Sequence, residues 1–162
     1  MEKKVLSVLV ENHAGVLARV ASLFNQRGFN IDSLTVSATD NPEVSRITIV
    51  AKGDEQSFDQ IVKQTAKLIE TKKIFTLNPS TSIKRELLLV KVAVDDKHIG
   101  ALRETAGIFK AKIVDLSVGS MVMELTGEPD KIDGFLGVLS QYRILEMCRT
   151  GVTALERGIP EH

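Results

Sequence analysis

A seven-residue stretch near the start of the chain carries residue types that can hold a small charged ligand. Glu11 to Leu17 joins a predicted strand to a predicted helix, and it contains Asn12 and Gly15. Gly15 lets the backbone approach a ligand closely, and the free amides at the start of a helix favour an anion such as a carboxylate. Asn12 both donates and accepts, so it can serve either end of a zwitterion. A simpler interpretation explains the same residues, with Asn12 as an N-cap or turn residue and Gly15 merely fitting the turn.

Asn30 is the second residue with a possible binding role. It stands at the predicted start of the second strand, directly after Gly28-Phe29. Its side-chain amide could provide a polar contact to a ligand held by a neighbouring chain. A plain turn residue at this position explains it equally well, because asparagine is common in turns.

The remaining reactive residue types do not combine into a catalytic or metal site. The histidines are His13, His98 and His162, and the sequence contains no H-x-x-x-H, CxxC, Walker A, GxSxG or GxGxxG pattern. Asp95-Asp96 lies between a strand and a helix, where acidic caps are common. Cys148 is the only cysteine, and its apolar strand predicts an inert core thiol. We therefore predict no catalytic residue and no metal ligand in this chain.

The amino-acid composition indicates the cellular compartment of the protein and argues against two classes of partner. Among 162 residues, Lys+Arg and Asp+Glu are both 21, and there is one Tyr and no Trp. The chain has no excess of basic residues and few aromatic residues on which bases could stack, so the composition argues against a nucleic-acid-binding protein. The apolar run Val5–Val10 is too short to span a bilayer, which argues against a membrane partner. A single cysteine is typical of the reducing cytoplasm.

The first half of the chain alternates between strand and helix periodicity. Gly28 is placed to end the first helix and Asp54 to cap the second. The predicted strands are Val5–Val10, Ser33–Thr39, Ile47–Ala51 and Lys73–Leu77, and the apolar helix faces run from Val16 to Phe24 and from Phe58 to Ile69. The order β-α-β-β-α-β is that of the ferredoxin-like unit.

The second half repeats this order. Its predicted strands are Leu87–Val94, Lys112–Val118, Met121–Thr126 and one that begins at Ile144, with helix faces from Ile99 to Phe109 and from Ile132 to Leu139. The spacing of Gly15, Leu17 and Phe24 recurs in Gly100, Leu102 and Phe109. Duplication and the shared demands of helix packing both account for it. We predict an α+β fold of two tandem ferredoxin-like βαββαβ domains.

The predicted domains cover residues 1–78 and 85–162, joined by a polar, proline-containing linker at 79–84. Two helices cover one face of each four-stranded sheet, so we expect the opposite face and the edge strands to remain uncovered. Domains of this size are marginally stable alone. Pairing with a second copy of the chain is therefore expected.

Several segments resemble one family along essentially the whole chain. The opening strand and loop resemble an ACT domain, a small amino-acid-binding module. The later segments resemble the small regulatory subunits of acetohydroxyacid synthase, also called acetolactate synthase. The segments that carry this resemblance are Leu6–Val20, Phe24–Val36, Ser45–Ile49, Arg85–Val92 and Arg149–Gly158.

The resemblance implies a non-catalytic chain that acts in branched-chain amino acid biosynthesis. Such a chain raises the activity of a catalytic large subunit and makes that subunit subject to feedback inhibition by valine. The large subunit in this family uses thiamine diphosphate, Mg²⁺ and FAD, so no cofactor is expected in this chain. Two ACT domains would pair edge to edge into an eight-stranded sheet, with valine, or sometimes leucine or isoleucine, at their interface. The uncovered sheet face is where we expect the large subunit to dock.

The resemblance also implies the ligand site. The valine carboxylate would meet backbone amides near Gly15, and the Asn30 side chain would come from the other chain. Leu34 would join the apolar surroundings. The implied ligand-binding positions are Asn12, Gly15, Val16, Leu17, Asn30 and Ile31. Ala14 departs from the family pattern, because many ACT domains have proline there, and the loop is expected to be less rigid before it binds its ligand.

Two other functions are compatible with this fold. The chain could be a stand-alone ACT-type amino-acid sensor that acts on a different enzyme, although the resemblance of Arg149–Gly158 argues against this. It could also be an enzyme with a ferredoxin-like fold. The absence of a nucleophile, base or metal cluster argues against that alternative. An activity assay of the isolated chain distinguishes an enzyme from a regulatory protein.

Overall fold

The structure, a computed structural model, describes residues 2–160. These residues form two compact units. The first contains the chain up to Ile83 together with the segment from Val152 onward, and the second is Lys84–Gly151. The elements are β1 Glu2–Glu11, α1 Val16–Gln26, β2 Asn30–Ala38, β3 Val44–Gly53, α2 Glu55–Ala66, β4 Thr71–Thr76, β5 Ser82–Ala93, α3 Ile99–Phe109, β6 Lys112–Ser117, β7 Ser120–Gly127, α4 Pro129–Leu139, β8 Ile144–Arg149 and β9 Thr153–Glu156.

The first unit is built on an antiparallel sheet with the strand order β2-β3-β1-β4. Alternate residues of the two central strands point to the helices and are fully buried, namely Leu6 and Val8 on β1 and Ile47, Ile49 and Ala51 on β3. A row of aromatic rings closes this core, with Phe29 between Phe24 and Phe58 at centroid distances of 5.6 Å and 5.2 Å. The β-α-β-β-α-β order of this unit is confirmed.

The helix ends of the first unit follow the predicted local chemistry. The Asp54 side chain accepts a hydrogen bond of 2.7 Å from the backbone N–H of Ser57, which caps α2. Gly28 has φ +72° and turns the chain after α1, a conformation that costs glycine little. Both residues therefore act as their types and positions predicted.

One face of the first sheet was expected to be uncovered, and this is wrong for the part beneath the C-terminal segment. Val152 and Ala154 pack against Val50 and Leu77 in a small apolar cluster. The Val152 N–H also donates to the Ser33 hydroxyl at 3.3 Å. Residues 152–160, predicted to belong with the second domain, thus pack with the first unit. Burial of this apolar surface stabilises the arrangement.

The second unit has the strand order β6-β7-β5-β8. Its core is formed by alternate residues of β5 and β7 with the inner faces of α3 and α4; the largest buried side chains are Leu88, Leu102, Met121, Met123, Leu125 and Phe135. Gly119, at φ +84°, makes the tight turn between β6 and β7. The repeated element order predicted for this half is confirmed.

A buried ion pair joins two strands of the second unit. The Arg149 guanidinium holds Glu86 through two hydrogen bonds of 2.7 Å and 3.0 Å, and it reaches Asp133 at 2.8 Å. The Glu86 side chain is only 5% exposed. The hydrogen bonds to Glu86 raise the pKa of Arg149. This arrangement fixes the end of β8, directly before the chain returns to the first unit.

Three details of the second half differ from the sequence-based expectation. Cys148 is exposed and not a core thiol, because it pairs across the sheet with Leu89, whose neighbours Leu88 and Val90 are the residues that face the core. The predicted linker 79–84 is partly strand, since β5 begins at Ser82. The last strand, Thr153–Glu156, was not predicted.

Candidate ligand-binding site

The loop between β1 and α1 has the backbone form needed to present helix amides to an anion. Gly15 lies at φ +88° and ψ −14°, immediately before α1, and no side chain caps that helix. The Gly15 carbonyl already accepts from the Arg19 N–H at 3.1 Å. The amides of Val16 and Leu17 are the first of the helix, and such amides lack intrahelical acceptors. The helix dipole adds a partial positive charge at this point.

Asn12 is fixed to the turn between β2 and β3. Its backbone N–H donates to the Glu43 carbonyl at 2.8 Å, and its Nδ2 atom donates to the Pro42 carbonyl at 2.9 Å. Among residues 2–160, no donor is bound to its Oδ1 atom, which is therefore left as an acceptor. The interpretation of Asn12 as a simple helix cap is not what the structure shows, because no side chain caps α1.

The loop is bordered by a cation, Arg19, which the sequence analysis did not single out. Arg19 pairs with Glu70 at 2.5 Å, and the Glu70 carbonyl accepts from the Glu11 N–H at 2.8 Å. A Cβ atom added to Gly15 would lie 3.8 Å from the Arg19 Nη2 atom. The spacing of four residues between Gly15 and Arg19 on one helix face could have indicated this contact. Nothing in the sequence pointed to Glu70.

The two apolar residues that follow Gly15 have different environments. The Val16 side chain is 3% exposed and belongs to the core, whereas Leu17 is 42% exposed on the first turn of α1. Val16 can therefore offer a ligand only its backbone amide. Leu17 can offer both an amide and an apolar surface beside the loop.

Asn30 and Ile31 lie at the other end of the same sheet. Asn30 is exposed and pairs with Lys52, which in turn pairs with Lys3 at the start of β1. Asn12 follows Glu11 at the end of β1, so the two ends are about 27 Å apart at roughly 3.4 Å per residue. Ile31 packs against the helix-side core. The structure does not bring Asn30 and Asn12 together within one chain.

His13 is tied within the loop by a neighbouring carboxylate. Its Nε2 atom lies 2.8 Å from Glu11 Oε2, and this hydrogen bond, followed by one to the Ala14 carbonyl, raises the pKa of His13. We predict that an NMR titration of His13 gives a pKa above the usual histidine value and that Glu11→Gln lowers it. The stabilising pair is present where His13 is protonated and Glu11 is ionised, and it is lost as pH rises through the His13 pKa. Identical titrations in both proteins would contradict this assignment.

Residues 2–160 contain neither a candidate metal centre nor a helix suited to a membrane. Within that range, no three His, Cys, Asp or Glu side chains are grouped closely enough to hold a metal ion. No helix in the same range is long and apolar enough to cross a membrane.

Two family models match successive parts of the chain. The model described as an AHAS small subunit-like ACT domain matches residues 6–73. The model described as the small subunit of acetolactate synthase matches residues 85–158. The first match contains the β1–α1 loop and Asn30, and the second contains most of the second unit together with β9.

Relatives and a solved structure agree with these models over almost the whole length. The chain is 47% identical over 156 residues to a probable acetolactate synthase small subunit of Archaeoglobus fulgidus, covering 96% of this chain and 98% of the relative. It is 39% identical over 157 residues to the isozyme 3 small subunit of Escherichia coli, covering 96% of each. The crystal structure of the small subunit from Thermotoga maritima superposes with a TM-score of 0.91 at 36% identity, covering 99% of this chain and 100% of that one. The chain belongs to the family of acetolactate synthase small subunits.

Proposed function

We propose that this chain is the non-catalytic regulatory subunit of an acetolactate synthase. It activates a separate catalytic large subunit in the cytoplasm and makes that subunit subject to feedback inhibition by valine. The observation that carries the proposal is the loop at Gly15, which combines an uncapped helix start, Arg19 beside it and, three residues earlier, Asn12, whose side chain is anchored to the β2–β3 turn through its Nδ2 atom. A carboxylate and an ammonium group are the ligand groups that these features bind.

The proposal needs two chains, because Asn12 and Asn30 are far apart in one chain. β2 is one of the two edge strands of its sheet, and an edge strand is open to pairing. If two β2 strands pair antiparallel about Leu34, Asn30 of the partner subunit lies opposite Ala38. Ala38 pairs with Ser45, and Ser45 with Val10, two residues before Asn12. A homodimer joined in this way therefore places Asn30 of the partner subunit at the same end of the sheet as the loop, next to the β2–β3 turn that Asn12 holds through Pro42 and Glu43, and forms an eight-stranded sheet.

Each group of the ligand has a counterpart in this assembly. The carboxylate accepts from the amides of Val16 and Leu17, beside Arg19. The ammonium donates to Asn12 Oδ1, and the amide of Asn30 from the partner subunit completes the polar contacts. The apolar ligand side chain rests on exposed Leu17 and on Ile31 of the partner subunit. Valine, leucine and isoleucine all fit this description, and one methylene changes affinity by only about 1–3 kcal/mol.

Regulation follows from a difference in valine affinity between two arrangements of the dimer. A ligand shifts an equilibrium only by binding one state more tightly than the other. In the proposed holoenzyme, thiamine diphosphate, Mg²⁺ and FAD are held by the large subunit. The small subunit contributes the sensor and the contact that transmits its state.

Replacing Asn30 by His is predicted to weaken valine binding by about 10- to 100-fold, which corresponds to the loss of one or two polar contacts. The fold should persist, because Asn30 is exposed at the first position of β2. Calorimetric titration with valine measures the effect. Gln60→His, which changes an exposed amide on α2, is the control and should bind as the unchanged chain does. Equal affinities in all three proteins would remove Asn30 from the site.

The proposal as a whole is tested with the purified chain and its catalytic subunit. Calorimetry with valine, leucine and isoleucine should give saturable binding at about one site per chain and rank the ligands. Adding the chain to the catalytic subunit should raise acetolactate synthesis, and valine should reverse the gain. Valine binding without any activation would instead favour an ACT-type sensor of a different enzyme.

A further inference from the structure

A groove remains open on the face of the first unit that points away from its helices. Arg46 lies on this face, because it pairs with Leu9 and Ser37 while its neighbours on β3 face the core. The groove has a volume of about 440 Å³ and lies entirely within the first unit. It is lined by Leu9, Arg46 and Val44, by the end of β2 and the following turn from Ser37 to Asn41, which includes the carboxylate of Asp40, and by Thr153 to Leu155 of β9.

Arg46 is a cation with spare donors in this groove. Its Nη1 atom donates to the Ser7 hydroxyl, and Ser7 is fully buried. In the part of the chain that the structure describes, no carboxylate is within ion-pair distance of Arg46. Arg149, which is also partly buried, by contrast holds both Glu86 and Asp133. A guanidinium carries five N–H donors, so Arg46 can bind a carboxylate in addition to the Ser7 hydroxyl.

The surroundings suit an extended chain segment. Val152 and Ala154 cover another part of this sheet face, so the groove is a portion that β9 leaves open. Leu155 at the rim is 58% exposed and gives the groove an apolar side next to the Arg46 charge. A peptide that presents one acidic side chain and one apolar side chain satisfies both surfaces.

We propose that this groove receives an acidic extended segment of the catalytic subunit, whose carboxylate pairs with Arg46. The identity of the partner rests on the proposed function, because a small subunit must contact the chain that it regulates. The contact would include the β2–β3 turn, which is also the turn that Asn12 holds through Pro42 and Glu43. The same turn therefore borders both the ligand loop and the proposed docking groove.

The test compares Arg46→Glu, Leu155→Glu and the unchanged chain in two assays. The first is the concentration of small subunit that gives half-maximal activation of the catalytic subunit. The second is valine binding by the small subunit alone. We expect both variants to raise the activation midpoint about tenfold or more, since each places a negative charge against an acidic segment. Valine affinity should stay within about twofold, because neither side chain contacts the ligand loop.

Controls separate this inference from the proposed function. Lys63→Glu reverses an exposed cation on α2, on the other side of the sheet, and should leave the midpoint unchanged. Leu155→Glu covers the case in which Arg46→Glu fails to fold, because Leu155 is exposed. Added salt should weaken activation by the unchanged chain more than by Arg46→Leu. If the unchanged chain activates the catalytic subunit and all variants activate it equally, the proposed docking site is wrong. The site is also wrong if the variants change only the self-association of the small subunit. If the unchanged chain never activates, the proposed function itself fails.

Discussion

Replacing Gly15 by Asp should abolish measurable valine binding, lowering affinity by about 100-fold or more, while activation of the catalytic subunit persists. The added Cβ atom would lie 3.8 Å from Arg19 Nη2, so the new carboxylate would stand beside the helix amides that we propose as the ligand site, where it would repel the ligand carboxylate. A loss of this size corresponds to about 3 kcal/mol. Calorimetry with valine measures the binding, and an activity assay measures the activation.

The matched control for this variant is Gly119→Asp. Gly119 has φ +84°, close to the +88° of Gly15, and a Cβ atom there meets nothing within 4 Å. The two substitutions share the backbone strain that a left-handed position imposes, about 1–2 kcal/mol. Only Gly15→Asp changes the ligand loop. Normal valine binding by Gly15→Asp would exclude Gly15 from the site, whereas loss of binding in both variants would point to unfolding.

Replacing Arg149 by Met should destabilise the second unit by about 3 kcal/mol. The substitution leaves Glu86, 5% exposed, as an uncompensated buried carboxylate, and breaking such a pair on one side is strongly destabilising. Tyr142 is the only tyrosine and the chain has no tryptophan, so its fluorescence reports unfolding of this unit alone. Urea titration followed by Tyr142 fluorescence measures the loss.

Two comparisons identify the cause of that loss. The double variant Glu86→Leu with Arg149→Met should recover much of the stability, because the unpaired charge is removed. Lys91→Met breaks an exposed ion pair with Glu146 on the same sheet and should have little effect. If Lys91→Met and Arg149→Met shift the urea midpoint equally, burial of Glu86 is not the source of the effect.

The element order was predictable because apolar periodicity follows burial. Ile47, Ile49 and Ala51 alternate on β3 and are all fully buried, and Asp54 caps α2 as its position indicated. The exposure of Cys148 was not predictable in the same way. An exposed strand position and a core position can carry the same apolar neighbours, and only the pairing with Leu89 shows which face Cys148 occupies.

The candidate site was only partly predictable, because its parts are distant in sequence. The positive φ of Gly15 could be predicted from its residue type and from its place before a helix. The contacts of Asn12 with Pro42, and of Arg19 with Glu70, join residues that no local pattern relates. The packing of Val152 and Ala154 on the first unit could not be predicted for the same reason. A short apolar strand near the end of the chain does not specify the sheet that it covers.

The most direct test of the account is to mix Gly15→Asp and Asn30→His chains in equal amounts and allow dimers to exchange. Neither variant alone should bind valine at the concentrations used. In a mixed dimer, one loop and the opposite Asn30 are both unchanged, so we predict that calorimetry detects one restored site per mixed dimer. If each site lay within a single chain, mixing would restore nothing, and the proposed interface site would be wrong.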